Sequence, residues 1–585
     1  MPLLPDRRDL LAGSFLMQPS PAFVHGYSFS SLAAEVSAAT QEEVAPALQA
    51  LERHVADGLH AAGFVSYEAA RALNGDLTTC PPGGFPLLWF GLFETRTCDP
   101  FPDPALPFHC GGFTPSLDRE RFSGAVESIR GLIAAGDCYQ VNFTMRERFS
   151  FSGCPHSFFS QLRRSQPTPY CSYLETGKYR VLSASPELFF SLERGVLTTR
   201  PMKGTATRGR WFEEDQARKE QLKQSPKERA ENLMIVDLLR NDMGIVSETG
   251  SVRVSSLFDV ETHRTVHQMT STIASKLKEG VGVPELFRAL FPCGSVTGAP
   301  KRRSMEIIAD LEGDPRGLYT GCIGYFSPGG EARFSVAIRT AVLDLDSGCA
   351  EIGIGSGITY DSVAQDEYAE SLAKGRFARE IPPEFHLIES LLFDGGYFLL
   401  ERHLERLGRS AAYFAFPLQK DQARRALEQV AAGLDEGGRH KVRLLLFNDG
   451  RIDCESSPVT ESSSDATAAF AGMRVDSSDP FFYHKTSRRD LYTRELAGRP
   501  DVTEVIFENE RGEVTEGVNS NIVALIGGEH LTPPLSSGLL GGTFREELLQ
   551  SGSIKERVLT RSDLEQAEAL FLVNSVRKWR RARLV

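Results

Sequence analysis

Apolar residues recur at helical spacing in some stretches of the chain and at strand spacing in others. Over residues 41–60 the spacing predicts a helix that leads into a strand at 63–68. A second amphipathic helix is predicted over Phe122–Ala135 and is stopped by Gly136. Leu87–Phe93 predicts a buried strand, and residues 188–199 predict two strands that turn around Gly195.

Further along the chain, capping and turn residues predict more elements. Ser225-Pro-Lys-Glu228 is a capping box with proline at the first helical position. The apolar residues that follow cover most of the helix surface and predict a largely buried helix with an internal Asp237–Arg240 ion pair. Three other elements are predicted: an alternating strand carrying Arg339, a helix capped by residues 362–365, and a hairpin over Phe385–Leu400.

The length of 585 residues predicts more than one domain. A helical stretch at 374–380 is followed by Pro382-Pro383, which cannot continue a helix. We therefore place a boundary near residue 381. The predicted domains are an N-terminal layer at 1–115, a catalytic domain at 116–380 and a second domain at 381–585.

The overall charge and the cysteines exclude several classes of protein. A net charge of −12 argues against a nucleic-acid or anionic-membrane partner, and no apolar run is long enough to predict a spanning helix. Arg7-Arg8 is flanked by acidic residues, and Pro19 and Pro21 cut short any apolar stretch, so no export signal is predicted. The ten cysteines form no Cys-x-x-Cys pair, which favours a reduced, cytoplasmic location.

The candidate chemistry centres on one lysine. Pro201–Arg208 places Lys203 beside Gly204, a residue that lets the backbone approach a ligand closely. An isolated Lys-Gly pair is usually a surface feature. Glu187 lies sixteen residues earlier, and the predicted hairpin between them would bring this carboxylate back toward Lys203.

The segment around Lys203 resembles the Pro-Ile-Lys-Gly-Thr motif of component I of the aminodeoxychorismate synthases, which are chorismate-utilising enzymes. Gly136–Asn142 resembles a second segment of that family, and the resemblance is dense over residues 120–380. It implies an α+β fold, a mixed two-layer β-sandwich with helices. It also implies that Lys203 is the nucleophile and Glu187 the general acid/base. Related anthranilate synthases carry alanine at the position of Lys203.

The same resemblance implies a metal and a substrate site. Mg²⁺ would bind Glu231 at the start of one helix, and Glu367 and Glu370 on another. Glu367 and Glu370 share a helix face, and a small set of oxygen ligands suits Mg²⁺. The residues that match the family's contacts with chorismate are His267, Thr297, Tyr319, Arg339, Gly355 and Gly357.

Residues 384–585 resemble the class IV fold of pyridoxal-phosphate enzymes, a two-subdomain fold like that of D-amino-acid aminotransferase, and within it the 4-amino-4-deoxychorismate lyases. The matched residues are Lys485, which would bond covalently to the cofactor, Glu516 at the pyridinium nitrogen, and Arg406, Gly542 and Thr543 at the phosphate. Two positions depart from relatives. Asp490 stands where branched-chain transaminases have tyrosine, and Ile388-Glu389 replaces a hydroxyl pair of monofunctional lyases.

Together the two resemblances imply an enzyme that converts chorismate and ammonia to 4-aminobenzoate with Mg²⁺ and pyridoxal phosphate. They also imply a separate glutamine amidotransferase subunit and a homodimer formed through the C-terminal domain. Three alternatives stay open. They are a pyridoxal-phosphate transaminase in the C-terminal half, an anthranilate synthase-like component in the first half, and a non-catalytic chorismate-binding regulator.

Overall fold

A computed structural model describes residues 22–381, 383–435, 437–460 and 465–585 of the chain. The prediction that Arg7-Arg8, Pro19 and Pro21 form no export signal lies outside the described residues, as does Pro382 at the predicted boundary. In the described part, no helix combines the length and the apolar character needed to cross a membrane.

The described residues form fourteen α-helices, which are α1 (Gln41–Ala56), α2 (Ala70–Leu73), α3 (Arg119–Ala134), α4 (Pro155–Ser165), α5 (Phe212–Gln224), α6 (Pro226–Val246), α7 (Val283–Leu290), α8 (Lys301–Glu312), α9 (Ala364–Lys374), α10 (Leu400–Phe414), α11 (Lys420–Ala431), α12 (Asp490–Ala497), α13 (Thr543–Gln550) and α14 (Arg561–Glu565). They also form thirty strands, which are β1 (Ala22–Val24), β2 (Tyr27–Ala38), β3 (His60–Val65), β4 (Leu88–Thr97), β5 (Phe108–Cys110), β6 (Thr114–Pro115), β7 (Gln140–Gly153), β8 (Tyr170–Thr176), β9 (Tyr179–Ser185), β10 (Leu188–Glu193), β11 (Val196–Arg200), β12 (Met202–Thr207), β13 (Arg253–Thr262), β14 (Val266–Lys276), β15 (Gly298–Ala299), β16 (Cys322–Ser327), β17 (Glu331–Val336), β18 (Thr340–Asp344), β19 (Cys349–Ile358), β20 (Leu387–Phe393), β21 (His440–Leu446), β22 (Ile452–Pro458), β23 (Ala466–Phe470), β24 (Glu504–Glu508), β25 (Val514–Gly517), β26 (Asn521–Ile526), β27 (Glu529–Thr532), β28 (Lys555–Glu556), β29 (Ala569–Asn574) and β30 (Lys578–Leu584).

The chain divides into two compact units. The first takes in Met1–Ala206 and Leu222–Pro382, and the second takes in Thr207–Gln221 and Pro383–Val585. Residues 207–221 thus belong to the second unit although they fall within the domain predicted at 116–380. Within that unit the Tyr413 hydroxyl donates to the carbonyl oxygen of Gly209 at 2.7 Å.

The first unit is built on one hydrogen-bonded network of strands. Strand β19 pairs antiparallel with β7 along its whole length and with β18 on its other side. Strand β3 pairs antiparallel with β16, so the N-terminal layer predicted at 1–115 adds strands to the sheet of the catalytic domain. Aromatic rings fill the core beside it, and the Phe190 and Phe334 rings stack at 5.0 Å.

Helix α6 confirms one prediction from its sequence, the start of the helix, and contradicts another, its burial. It begins at Pro226, and the Ser225 side chain accepts from the amide of Glu228, which confirms the predicted start. The prediction of a largely buried helix is wrong. Leu233 is 43% exposed, and the Asp237–Arg240 ion pair lies at the surface. Only one face of α6 packs on the core, and Leu233 and Ile245 lie on the exposed side.

Three other predicted elements differ in the structure. Arg339 lies in the break between β17 and β18 with φ of 51°, so the predicted single strand is divided into two that pair with β10 and β9. Helix α9 begins at Ala364 with no side-chain cap, since the Ser362 hydroxyl donates to Glu367 instead. The second arm of the predicted hairpin is only a bridge at Tyr397, because Leu399 adopts a left-handed φ of 55° and starts α10.

The second unit contains two sheets. Strands β20, β21 and β22 form an antiparallel sheet that packs on α10 and α11. Strands β23 to β30 form a mixed sheet, in which β23 pairs parallel with β24 and β26 pairs antiparallel with β29. This two-sheet arrangement and the antiparallel network of the first unit confirm the predicted α+β class.

Candidate active sites

In the first unit, Lys203 lies on β12 in a cavity of about 280 Å³. The next residue, Gly204, has a φ of 101°, a backbone conformation that favours glycine. The Asn232 side chain donates to the carbonyl oxygen of Lys203 at 3.0 Å, and Gln268 donates to that of Gly204 at 2.8 Å. These two hydrogen bonds hold the backbone of Lys203 and Gly204, while the amine of the lysine points into the cavity.

Two carboxylates flank the amine of Lys203. Its Nζ lies 3.3 Å from Oε2 of Glu231. Glu187 also lines the cavity, and its Oε1 accepts from the Met202 amide at 3.3 Å, one residue before the lysine. The hairpin of β10 and β11 thus brings Glu187 to Lys203 as the sequence predicts.

Glu187 is only 3% exposed. Burial raises its pKa to about 7, although hydrogen bonds from Ser295 and Met202 and the charge of Lys203 oppose the shift. The Ser295 hydroxyl donates to Oε1 at 2.6 Å. Glu187 can therefore exchange a proton near neutral pH, as a general acid or base must.

The carboxylates predicted to bind Mg²⁺ all line this cavity, and Glu228 joins them. Glu228 and Glu231 project from α6, and Glu367 and Glu370 from α9. Glu370 pairs with Lys374 at 2.7 Å. Among the described residues no three His, Cys, Asp or Glu side chains form a ready metal site. Because Mg²⁺ commonly takes one or two carboxylates and completes its shell with water and substrate oxygens, the set fits this ion.

The opposite wall suits an anion. Arg339 lines the cavity without an ion pair to any described residue, and Phe377 lies beside its guanidinium. Tyr319 lines the same wall, and a Cβ at Gly353 would lie 2.0 Å from its ring. A half-buried arginine with unused donors is suited to grip a carboxylate with two hydrogen bonds.

Strand β19 forms the floor of the cavity with little side-chain bulk. A Cβ at Gly357 would lie 2.6 Å from Nζ of Lys203, and one at Gly355 would lie 2.4 Å from the carbonyl oxygen of Phe143. Gly357 therefore leaves space for the amine of Lys203, whereas Gly355 lets β19 lie close to the backbone of β7.

Two predicted substrate contacts do not line the cavity. His267 is fully buried, and its Nδ1 lies 3.2 Å from the Thr262 hydroxyl. Thr297 is also fully buried, with its hydroxyl on the carbonyl oxygen of Gly294 at 3.2 Å. Their neighbours Gln268 and Ser295 line the cavity instead. The sequence analysis did not name these two neighbours. For His267, the alternation of side chains along a strand could have indicated that Gln268 faces the opposite side.

In the second unit, Lys485 lines a cavity of about 440 Å³ together with Glu516. The Lys485 carbonyl accepts from the amide of Ile388 at 2.8 Å, which fixes its loop to β20. Burial lowers the pKa of Lys485 to about 7, and the charges of Arg489 and Arg406 add to this shift. A lysine poised in this way can carry and release a proton near neutral pH.

Glu516 is buried on β25 and accepts two hydrogen bonds. The Tyr492 hydroxyl donates to Oε1 at 2.7 Å, and the Leu540 amide donates to Oε2 at 3.2 Å. Burial raises the pKa of Glu516 to about 7, and the Tyr492 hydrogen bond opposes this most strongly. Asp490, which replaces the transaminase tyrosine, begins α12, and the same helix supplies Tyr492.

Glu389, one of the two residues that replace the lyase hydroxyl pair, is buried against α10. Its Oε2 lies 2.6 Å from His403 Nδ1 and 2.6 Å from Arg406 Nη2. Burial alone would raise its pKa, but Arg406 and His403 hold the pKa of Glu389 at about 2. Glu389 therefore stays charged and orients Arg406, which also donates to the carbonyl oxygen of Gly541.

The residues at the other end of this cavity fit a phosphate. Helix α13 starts at Thr543 after Gly542, and no side chain caps its first amides. A Cβ at Gly542 would lie 2.0 Å from Asn521 Oδ1, so a larger residue there would displace the Asn521 side chain. Lys485, Glu516, Arg406, Gly542 and Thr543 line one cavity, which fits pyridoxal phosphate with its phosphate at the start of α13.

Comparison with known proteins finds matches for two parts of the chain. Residues 100–380 match the family described as chorismate binding enzyme, and residues 386–585 match amino-transferase class IV. Over 268 residues the chain is 42% identical to aminodeoxychorismate synthase component 1 of Bacillus subtilis, covering 46% of this chain and 57% of that protein. It is also 42% identical over 262 residues to anthranilate synthase component 1 of Aquifex aeolicus, covering 45% and 52%.

A solved structure of anthranilate synthase component I from Streptococcus pneumoniae aligns with a TM-score of 0.54 at 28% identity, covering 63% of this chain and 95% of that chain. The chain spans about half the length of the curated relatives named above. Overall identity is the same for the two kinds of curated relative, so it does not separate the two reactions. The residues of the site have to do so.

Proposed function

We propose that this chain, which matches chorismate binding enzymes over residues 100–380 and class IV amino-transferases over residues 386–585, converts chorismate to 4-aminobenzoate in two steps. The first unit would replace the C4 hydroxyl of chorismate by an amine to give 4-amino-4-deoxychorismate. The second unit would eliminate pyruvate from that product. The observation that carries the proposal is Lys203 in a cavity with Glu187 and Arg339.

In the first step, Nζ of Lys203 would form a bond to C2 of chorismate as the C4 hydroxyl leaves. Glu187 would supply the proton that makes this hydroxyl leave as water, which its pKa of about 7 allows. Ammonia would then bond to C4 and expel the lysine from C2. Lys203 reacts only as the free amine, so its contact with Glu231 has to be released first.

Mg²⁺ would be held by Glu231 and Glu370, with Glu228 and Glu367 at its edge. The ion would supply charge compensation for a substrate carboxylate. Arg339 would take a second carboxylate on the other wall. Chorismate has two carboxylates, so each end of the substrate would find one cationic partner.

In the second step, pyridoxal phosphate would supply an electron sink for the charge that develops at C4 when its proton is removed. Lys485 would remove that proton, and its pKa of about 7 suits this role. Glu516 would hydrogen-bond the pyridinium nitrogen, while Tyr492 fixes the orientation of the carboxylate. Pyruvate would leave as the ring becomes aromatic.

The other partners follow from the two reactions. The ammonia would come from a separate glutamine amidotransferase subunit, as the family resemblance implies. The second unit would form the contact of a homodimer, and we place the enzyme in the cytoplasm.

The first reaction can be tested alone in a Lys485→Ala chain given chorismate, Mg²⁺ and ammonium. We expect 4-amino-4-deoxychorismate, identified by mass and by its conversion to 4-aminobenzoate on adding a competent lyase. Anthranilate as the main product would instead favour an anthranilate synthase, the activity named for the Aquifex aeolicus relative.

A further inference from the structure

Four cationic side chains in the cavity around Lys485 have no part in the chemistry proposed above. They are Lys441, Arg489, Arg577 and Arg580. None of them forms an ion pair with a carboxylate among the described residues. Unpaired cations around one cavity indicate an anionic ligand, because their mutual repulsion is otherwise uncompensated.

Of the four cations, Lys441 gives the strongest indication of an anionic ligand. It lies half-buried on β21, where it is paired in the sheet with Leu392 and Ser457, and no described residue accepts a hydrogen bond from its amine. Burial lowers its pKa, and the charges of Arg443, Arg577 and Arg489 lower it further. Glu455 opposes this shift and pairs with Arg443, so Arg577 and Arg489, which line the same cavity as Lys441, are the cations left to favour a carboxylate there.

The arginines of the set are held mainly by uncharged groups. Arg577 donates to the carbonyl oxygen of Thr460, and Arg489 donates to that of Val518. Nε of Arg580 is buried without a hydrogen-bond partner. Carbonyl contacts position these guanidinium groups but leave their charge available to a ligand.

The carboxylates of the cavity do not neutralise this charge. Among the described lining residues they are Glu504 and Glu516. Glu504 accepts from the Asn519 amide and the Ser520 hydroxyl, and burial raises its pKa to about 7. Glu516 is engaged by Tyr492 and Leu540. The cavity is therefore positively charged without its ligands.

We propose that Lys441 and Arg577 bind a substrate carboxylate remote from the reacting amine, which makes this cavity selective for an amine with two carboxylates. The phosphate end of the cavity is built from other elements, α10 and α13, so these cations are not needed there. The inference rests on the proposed function. 4-Amino-4-deoxychorismate carries a ring carboxylate and an enolpyruvyl carboxylate, whereas a simple amino acid carries one.

The test uses the full chain with pyridoxal phosphate and measures pyruvate release from 4-amino-4-deoxychorismate. For Lys441→Gln and for Arg577→Gln we expect KM to rise about tenfold or more with kcat nearly unchanged, as for a lost charge-assisted contact. Lys441→Arg should recover part of the affinity. The matched control is Lys555→Gln, an exposed lysine of the same unit that pairs with Glu529 and does not line the cavity.

Cofactor affinity and the absorbance of the bound cofactor are measured in parallel. Both should be unchanged in the Gln variants. An unchanged KM in both variants, with an active parent enzyme, would overturn the inference and leave the proposed function standing. A weakened affinity for pyridoxal phosphate would also overturn it, by assigning the cations to the phosphate. No pyruvate from the parent enzyme would instead refute the proposed function of the second unit.

Discussion

Glu187 carries the clearest prediction at the scale of single residues. A donor to the leaving hydroxyl must be protonated, so the rate of amination should fall as pH rises through about 7. Glu187→Gln should lower kcat about 10²–10⁴-fold and remove this limb of the pH profile. The check is a pH–rate profile of amination with ammonia held at saturation. A Gln variant with the parent profile would show that another group donates the proton.

The same carboxyl makes a prediction about stability. Its pKa of about 7 in the folded chain lies above the ordinary 4.5, so its contribution to stability is complete below pH 4.5 and is lost as pH rises through 7. Glu187→Gln should therefore raise the unfolding temperature of the first unit at pH 8 and have a smaller effect at pH 5. Calorimetry of both chains at the two pH values measures this difference. A lower unfolding temperature at pH 8 would contradict it.

Tyr492 is a positioning residue for Glu516. Tyr492→Phe removes the buried hydrogen bond to Oε1, so the pKa of Glu516 should rise further and its orientation should loosen. We expect about tenfold slower pyruvate release, since a hydrogen bond to a charged group contributes about 1.5–3 kcal/mol. The loss should be greatest at acidic pH, where Glu516 gains its proton more easily. A loss independent of pH would assign Tyr492 a purely structural role.

At the scale of elements, strand β19 makes room for the chemistry of Lys203. Gly357→Ala places a Cβ 2.3 Å from Nε2 of Gln140 and 2.6 Å from Nζ of Lys203, so it should displace the amine and slow amination strongly while pyruvate release continues. Gly131→Ala on α3 is the matched control, because its Cβ would meet no atom within 4 Å. The two variants are compared by steady-state rates of both reactions. Full amination by Gly357→Ala would show that the lysine does not work from this position.

Helix α6 brings Glu228 and Glu231 to the cavity, and Ser225 caps its first turn. Ser225→Ala should destabilise the first unit by about 1 kcal/mol. Because the helix start also positions the two carboxylates, the Mg²⁺ concentration that gives half-maximal rate should rise. Thermal unfolding and a Mg²⁺ titration of the rate measure the two effects. An unchanged unfolding temperature would mean that the cap contributes nothing.

Elements with strong local signals were predictable from the sequence. The cap at Ser225 and the turn at Gly195 between β10 and β11 rest on local chemistry, and both are present. The position of Arg339 was not predictable, since its alternating apolar neighbours indicate a strand and only tertiary pairing breaks β17 from β18. A binding role for Lys441 was also not predictable from the sequence. It depends on Arg577 and Arg489, which are distant from Lys441 in sequence.

At the scale of the whole molecule, each compact unit would carry out one reaction. Chains with Lys203→Ala and chains with Lys485→Ala should each make no 4-aminobenzoate from chorismate. Mixed in one reaction, they should make it again, because the intermediate released by one can be used by the other. The measurement is the rate of 4-aminobenzoate formation as the concentration of each variant is varied. Failure of the mixture, with each single activity intact, would require that the intermediate not leave the chain.

Conversion of chorismate to 4-aminobenzoate by this one chain is tested most directly by incubating the parent enzyme with chorismate, Mg²⁺, pyridoxal phosphate and ammonium. The products are identified by mass. We expect 4-aminobenzoate and pyruvate in equal amounts, abolished by Lys203→Ala and, separately, by Lys485→Ala. Accumulation of 4-amino-4-deoxychorismate alone would contradict the assignment of the second unit. Anthranilate would contradict the role assigned to Lys203.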